Sequence, residues 1–190
     1  MKPYKNAVIF AGGKSSRMGE DKALLPFADY STLTEFQYKK LQNLFENVYI
    51  SAKENKFDFT CQVIEDIHTT SSPLVGILSI FEVLKVEDIF ILSVDAPFVD
   101  EKVISKIMQT SCKKDACIAK SPNGIQPLCG LYKKSILTFA KEQYTHNDHK
   151  LHHLLSKASI QTIDFESEDA FLNLNHPQEY QDALRRLFHR

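Results

Sequence analysis

Short apolar runs alternate along this chain with stretches in which apolar residues return every three or four positions. Ala7-Val8-Ile9-Phe10-Ala11 is unbroken and stops at Gly12-Gly13, which predicts a buried strand closed by a turn. Leu33, Phe36, Leu41, Leu44 and Phe45 keep helical spacing, while Val48-Tyr49-Ile50 and Cys61-Gln62-Val63-Ile64 predict two more strands. Ser72-Pro73 opens a helix, with Ser72 as its cap and Pro73 in its first turn, and Leu74, Ile77, Leu78, Phe81 and Leu84 share one face. Residues 89–94 form the most hydrophobic run and predict a central strand; Asp100 then caps a helix carrying Val103, Ile104, Ile107 and Met108. Further on, strands are predicted over 116–119, 128–132 and 160–165, and helices over 135–144 and from Pro177 onward, where Tyr180, Ala183, Leu184, Leu187 and Phe188 make a stripe.

Repeated strand-then-helix order predicts an α/β fold, a mostly parallel sheet with helices on both faces. No linker, repeat or low-complexity segment divides residues 1–190, so one domain is expected. Open sheets of this kind bind ligands beyond the carboxyl ends of their strands. Two features fall there: the Gly12-Gly13 loop after the first strand and Asp95 after the fourth.

Composition narrows the partners. The charges nearly cancel, 23 − 24 = −1, and with a pI near 6.7 they exclude a protein that holds nucleic acid by bulk electrostatics. With 43% hydrophobic and 25% charged residues, the chain is neither disordered nor fibrous. No run approaches the roughly 18 apolar residues of a membrane span, and the first apolar segment is too short for a secretory signal. A cytoplasmic, soluble protein is expected. Cys61, Cys112, Cys117 and Cys129 form no C-x-x-C pair and read as buried or reduced thiols.

The loop Gly12-Gly13-Lys14-Ser15-Ser16-Arg17-Met18-Gly19-Glu20-Asp21-Lys22 has the makings of a phosphate site. Its small residues let an anion approach backbone N–H groups, and Arg17 and Lys22 supply cations. A glycine turn with a solvated basic face fits the same composition. Val8 stands where a Walker A loop requires glycine, and Lys14 where a dinucleotide fingerprint requires its second glycine, so neither of those motifs is present.

Ala11-Gly12-Gly13-x-x-x-Arg17-Met18-Gly19-x-Asp21-Lys22 resembles the opening of the molybdenum cofactor guanylyltransferases and their nucleotidyltransferase relatives. Further matches follow in order: Val63-Ile64-Glu65-Asp66, Pro73-Leu74-Val75-Gly76, Ser93-Val94-Asp95-Ala96-Pro97-Phe98, Gln126-Pro127-Leu128 and Asn173-Leu174-Asn175-His176-Pro177. The resemblance implies a Rossmann-like nucleotidyltransferase fold of the glycosyltransferase-A type. It also implies transfer of GMP from GTP to the phosphate of molybdopterin, or its molybdenum-loaded form, with release of pyrophosphate. Molybdoenzymes or their chaperones would be downstream partners; nucleic acid and membrane would not.

Carried over by residue, the resemblance gives nucleotide-binding roles to Phe10 (where leucine is usual), Ala11, Gly12, Gly13, Lys22, Ser51, Asp66 and Asp95. Arg17, Lys22 and Asp95 become the catalytic set, with Asp95 the ligand for Mg²⁺. Asn173, Asn175 and Lys150 face the acceptor, although Asn175 also suits a helix cap before Pro177. Three positions depart from the pattern: Ser51 replaces an asparagine after the second strand, Ser72 a glycine, and Lys150 an arginine. Lysine offers a point charge where arginine offers a fork. His149, His152 and His153 have helical spacing, yet no carboxylate or cysteine completes a metal set, and a solvated helix face or an acceptor-phosphate contact is the preferred reading. A cytidylyl- or sugar-phosphate nucleotidyltransferase and a non-catalytic nucleotide- or cofactor-binding module are the alternatives.

Overall fold

A computed structural model describes residues 2–12, 19–68, 70 and 72–188; Gly13 and Arg17 lie outside them. Seven strands form one sheet: β1 (Tyr4–Phe10), β2 (Phe45–Ala52), β3 (Gln62–Glu65), β4 (Asp88–Ser93), β5 (Ala116–Ser121), β6 (Gly124–Lys133) and β7 (Ile160–Asp164). Their order is β3-β2-β1-β4-β6-β5-β7, parallel throughout except that β6 runs against both β4 and β5. The helices are α1 (Leu33–Gln42), α2 (Pro73–Leu84), α3 (Glu101–Gln109), α4 (Leu137–Thr145), α5 (Leu151–Lys157) and α6 (Pro177–Phe188).

Both faces of the central strands are buried, as their unbroken apolar runs require. Ala7, Ile9, Phe90 and Leu92 turn to the face covered by α1, α3 and α6, and Val8, Phe10, Ile89 and Ile91 to the face covered by α2, α4 and α5. Ser72 caps α2 by accepting from the Val75 amide at 3.2 Å, and Asp100 caps α3 through the Val103 amide at 3.0 Å. The expectation of an α/β fold with a mostly parallel sheet holds, β6 being the antiparallel strand.

Three local expectations are corrected. Phe45 begins β2 instead of continuing the helix, because the Leu44 carbonyl is claimed by the Tyr4 amide at 3.1 Å and the chain is drawn into the sheet. Ser51 lies within β2, opposite Phe10, rather than after the strand. The helical spacing of the histidine-rich stretch does correspond to a short helix, α5, with His152 and His153 exposed on it. Cys112 and Cys117, expected as thiols, are joined in a disulfide; the loop after α3 brings their Cα atoms to 6.0 Å, within bridging range.

Candidate active site

β1 and β4 are neighbours in parallel register, with Phe10 opposite Ser93, so the Gly12 turn and the Asp95 turn emerge side by side. The ladder runs on past the strand ends: Ala11 donates to the Ser51 carbonyl and Val94 to the Phe10 carbonyl, each at 3.0 Å. β2 and β3 deliver Ser51 and Asp66 to the same edge. Antiparallel β6 brings its beginning there instead, since Leu92 pairs with Cys129, and this sets Gln126 and Pro127 beside the Asp95 turn.

Two cavities open along this edge and share the rim residue Pro73. One, of about 480 Å³, is lined by Phe10, Gly12, Asp21, Ser51, Asp66 and Gly76 among others. The second, of about 470 Å³, is lined by Asp95, Gln126, His149, Lys150, His152 and Asn173 among others. His149 reaches across the rim to Ser72, Nδ1 to Oγ 3.1 Å. Gly76 sits inside α2 for a steric reason: a Cβ there would stand 2.5 Å from Cε1 of Phe10 and 3.1 Å from the Ser51 hydroxyl.

Asp95 is the hinge of the arrangement. Its Oδ2 is ion-paired with the Lys22 ammonium and its Oδ1 accepts from the Ser93 hydroxyl at 2.5 Å. The two paired side chains are only 20% and 13% exposed for Lys22 and Asp95, so water screens the pair weakly. The Leu174 amide donates to the Asp95 carbonyl at 2.9 Å and pins the last asparagine segment against this turn. With Leu174 buried, its neighbours diverge: Asn173 lines the cavity of Lys150, and Asn175 accepts from Lys22 Nζ at 3.2 Å. The cap role weighed for Asn175 goes elsewhere, because the Glu179 carboxylate takes the amides of Asn175 and His176 at 2.6 and 2.9 Å.

Helix α1 holds the Asp95 turn from beneath. The carboxamide of Gln37, fully buried, donates to the carbonyls of Ser93 at 3.3 Å and Val94 at 3.2 Å. Lys40 Nζ donates to the carbonyls of Pro97 at 3.0 Å and Val99 at 2.7 Å. Burial pushes the Lys40 amine down to about 7, against smaller upward pulls from Cys129 and Asp100. Gln143 does similar work on the other face, donating to the Lys150 carbonyl at 2.9 Å.

The chain from 7 to 163 matches the model of the MobA-like NTP transferase domain. The chain belongs to that family. A molybdenum cofactor guanylyltransferase of Campylobacter jejuni is 41% identical over 179 residues, covering 93% of each chain. One of Helicobacter pylori is 35% identical over 183 residues, covering 94% of this chain and 87% of its own. Among solved structures, the molybdopterin-guanine dinucleotide biosynthesis protein A of Archaeoglobus fulgidus superposes with a TM-score of 0.84 at 17% identity, over 97% of this chain and all of the other. The identities put the chain among the molybdenum cofactor guanylyltransferases, which are nucleotidyltransferases, and the superposition shows the shared fold.

Of the site residues expected for this family, Phe10, Ala11, Gly12, Ser51 and Asp66 cluster around one cavity or its edge. Asp95, Lys150 and Asn173 line the other, and Lys22 and Asn175 meet beside Asp95. The histidines turn to separate partners: His149 to Ser72 and Asn147, His153 to Asp148 at 2.6 Å, which holds the Asp148 carboxyl below its usual range. Among the described residues no three His, Cys, Asp or Glu side chains group to hold a metal, and no helix is long and apolar enough to cross a membrane.

Sequence reasoning missed Gln37, Lys40 and Gln143, and it matched Gln126 to a family strand without giving it a place in the site. For Gln37 a signal existed, since Leu33, Gln37 and Leu41 fall on one helical face and a polar residue interrupts the stripe. Lys40 carried none, being one of two adjacent lysines at a helix end.

Proposed function

We propose that this guanylyltransferase transfers GMP from GTP to the terminal phosphate of molybdopterin, free or molybdenum-loaded. The observation that carries the reading is a pair of cavities that meet at Pro73, one of them lined by Asp95, whose carboxylate holds the Lys22 ammonium. A dinucleotide-forming enzyme needs two pockets whose contents touch at one phosphorus. In this reading the guanine nucleotide occupies the cavity of Phe10, Ser51 and Asp66, and the pterin phosphate that of Lys150 and Asn173. An acceptor oxygen attacks the α-phosphorus; the bond from that phosphorus to the bridging oxygen breaks, and pyrophosphate leaves.

The acceptor is already an anion, so no general base is required. The obstacle is the approach of like charges, and positioned cations and donors lower it. Lys22, held beside Asp95, supplies positive charge, Arg17 is a second cation of the same loop in sequence, and the Gly12 backbone supplies an N–H. Asp66 accepts from donors on the base or the ribose hydroxyls. Asn175 steers the Lys22 ammonium through its hydrogen bond.

Asp95 is a fitting anchor for Mg²⁺. It is a single carboxylate at the cavity edge that already holds one cation, the Lys22 ammonium, and Mg²⁺ is commonly held by one or two carboxylates plus substrate phosphates. When bound, the ion would neutralise charge on the phosphate oxygens. The reaction belongs to the cytoplasm in this reading, with product passed to molybdoenzymes or their chaperones.

The deciding experiment measures Mg²⁺-dependent pyrophosphate release with molybdopterin and each of GTP, ATP, CTP and UTP. GTP should support the fastest release and bind most tightly. A preference for CTP would replace this reading with a cytidylyl transfer, and no release with any of the four would end it.

A further inference from the structure

Lys56 stands on the irregular segment between β2 and β3 and joins two points that the chain order keeps apart. Its ammonium is ion-paired with the Asp21 carboxylate and donates to the Ala11 carbonyl at 3.4 Å. Ala11 is the residue on which the glycine loop departs, and Asp21 directly precedes Lys22. Asp21 is itself fixed, since its Oδ1 accepts from the Ala23 amide at 3.1 Å and caps the short 3₁₀ turn Lys22–Leu24. The Lys56 side chain is 24% exposed and that of Asp21 34%, and the Lys56 ammonium also lies 5.8 Å from the Phe57 ring centroid.

We infer that Lys56 is a positioning residue for nucleotide binding, acting through Asp21 to hold the Ala11 backbone and the Lys22 turn at a fixed separation. It rests on the reading of the Phe10–Asp66 cavity as the nucleotide site. The physics is that of a two-point brace. One cation neutralises a carboxylate beside an anion-binding cavity, where an unpaired carboxylate would repel the triphosphate. The same cation ties the turn that aims Lys22 to the strand end that presents Gly12. Without it the turn and the strand end move independently, and the ordering must occur when the nucleotide binds.

The test pairs Lys56→Met with Asp21→Asn and reads GTP affinity by direct titration alongside KM for both substrates, kcat and the melting curve. Lys56→Met should weaken GTP binding about fivefold or more, the size of a partly buried pair of this kind, with kcat and the acceptor KM changed less than about twofold. Lys56→Arg should restore most of the affinity, because it keeps both the charge and the reach. Since Lys56 acts through Asp21, the double variant should bind GTP no more weakly than the weaker single variant, because Asp21→Asn also removes the carboxylate charge that Lys56→Met leaves unpaired. A residue that only supports the fold would lower the melting temperature and move both substrates equally, and that result overturns the inference. Losses that add in the double variant overturn it too, because Lys56 would then touch the nucleotide directly. Asp66→Ala, on the same cavity, separates the inference from the reading beneath it. If GTP affinity falls in Asp66→Ala but not in Lys56→Met, the brace alone fails; if Asp66→Ala leaves GTP affinity intact, the cavity assignment fails first.

Discussion

Replacing Asp95 with asparagine separates the stability of this site from its chemistry. The Asp95→Asn side chain keeps an acceptor for the Ser93 hydroxyl but loses the charge opposite Lys22. Exposed ion pairs contribute about 0–1 kcal/mol, and breaking a fully buried one costs about 3–5. With the partners 20% and 13% exposed, and with one hydrogen bond retained, a loss of about 1–2 kcal/mol is expected. For a chain of this length that lowers the melting temperature by roughly 2–8 °C. Turnover should fall further, by at least the ~10–100-fold seen when partners of a metal ligand are lost. Adding Lys22→Met then removes the ammonium that had faced the carboxylate. The double variant should melt within about 2 °C of wild type while remaining inactive. The assay is pyrophosphate release across a Mg²⁺ titration, with melting curves of both singles and the double. Undiminished turnover in Asp95→Asn refutes the anchor role, and thermal losses that simply add refute the coupling.

Other expectations follow from neighbouring contacts. Asn175→Ala, which removes an acceptor 3.2 Å from Lys22 Nζ, should raise KM for both GTP and the pterin, whereas Asn173→Ala should raise it for the pterin alone; steady-state kinetics with each substrate varied decides the matter. Lys40 has its pKa lowered to about 7 in the fold against the ordinary lysine value, so between these limits the unfolded chain holds a proton that the folded chain lacks. Stability contributed through Lys40 should therefore rise with pH from about 7 upward, and Lys40→Met should flatten that part of a melting-temperature profile. Gln37→Leu should lower kcat while GTP binding persists, because it leaves the Ser93 and Val94 carbonyls without their donor and loosens the Asp95 turn; unchanged kcat in a folded variant would count against it.

Where the local signal and the tertiary demand agreed, the sequence was easy to read. Residues 89–94 are apolar on both faces because β4 lies between β1 and β6 under two helical layers, so the central strand was legible. Asp95 stood out as a charge at the end of that run. The antiparallel course of β6 was not legible, since an apolar strand reads alike in both directions. That reversal is what brings Gln126 to the second cavity. Phe45 suited the helix stripe and was lost to it only through the pairing of Leu44 with Tyr4, a contact distant in sequence. Lys56 looks like any loop lysine until Ala11 and Asp21 are folded around it.

The close approach of Gly76 and Phe10 limits the order in which this pocket can change. A glycine in the interior of a helix costs about 1 kcal/mol relative to alanine, so drift toward alanine at position 76 is favoured by helix propensity alone. The Phe10 ring blocks it, since the new methyl would stand 2.5 Å from Cε1. Phe10→Leu removes the obstructing edge. The permitted route therefore shortens Phe10 first and fills position 76 second, whereas the reverse order passes through a crowded intermediate that should bind GTP poorly. Gly76→Ala alone should be less stable than wild type, and adding Phe10→Leu should recover the part of the loss due to the ring, the contact with the Ser51 hydroxyl remaining. Two positions far apart in the chain are thus coupled through one contact, and reshaping this cavity at either one has to take account of the other.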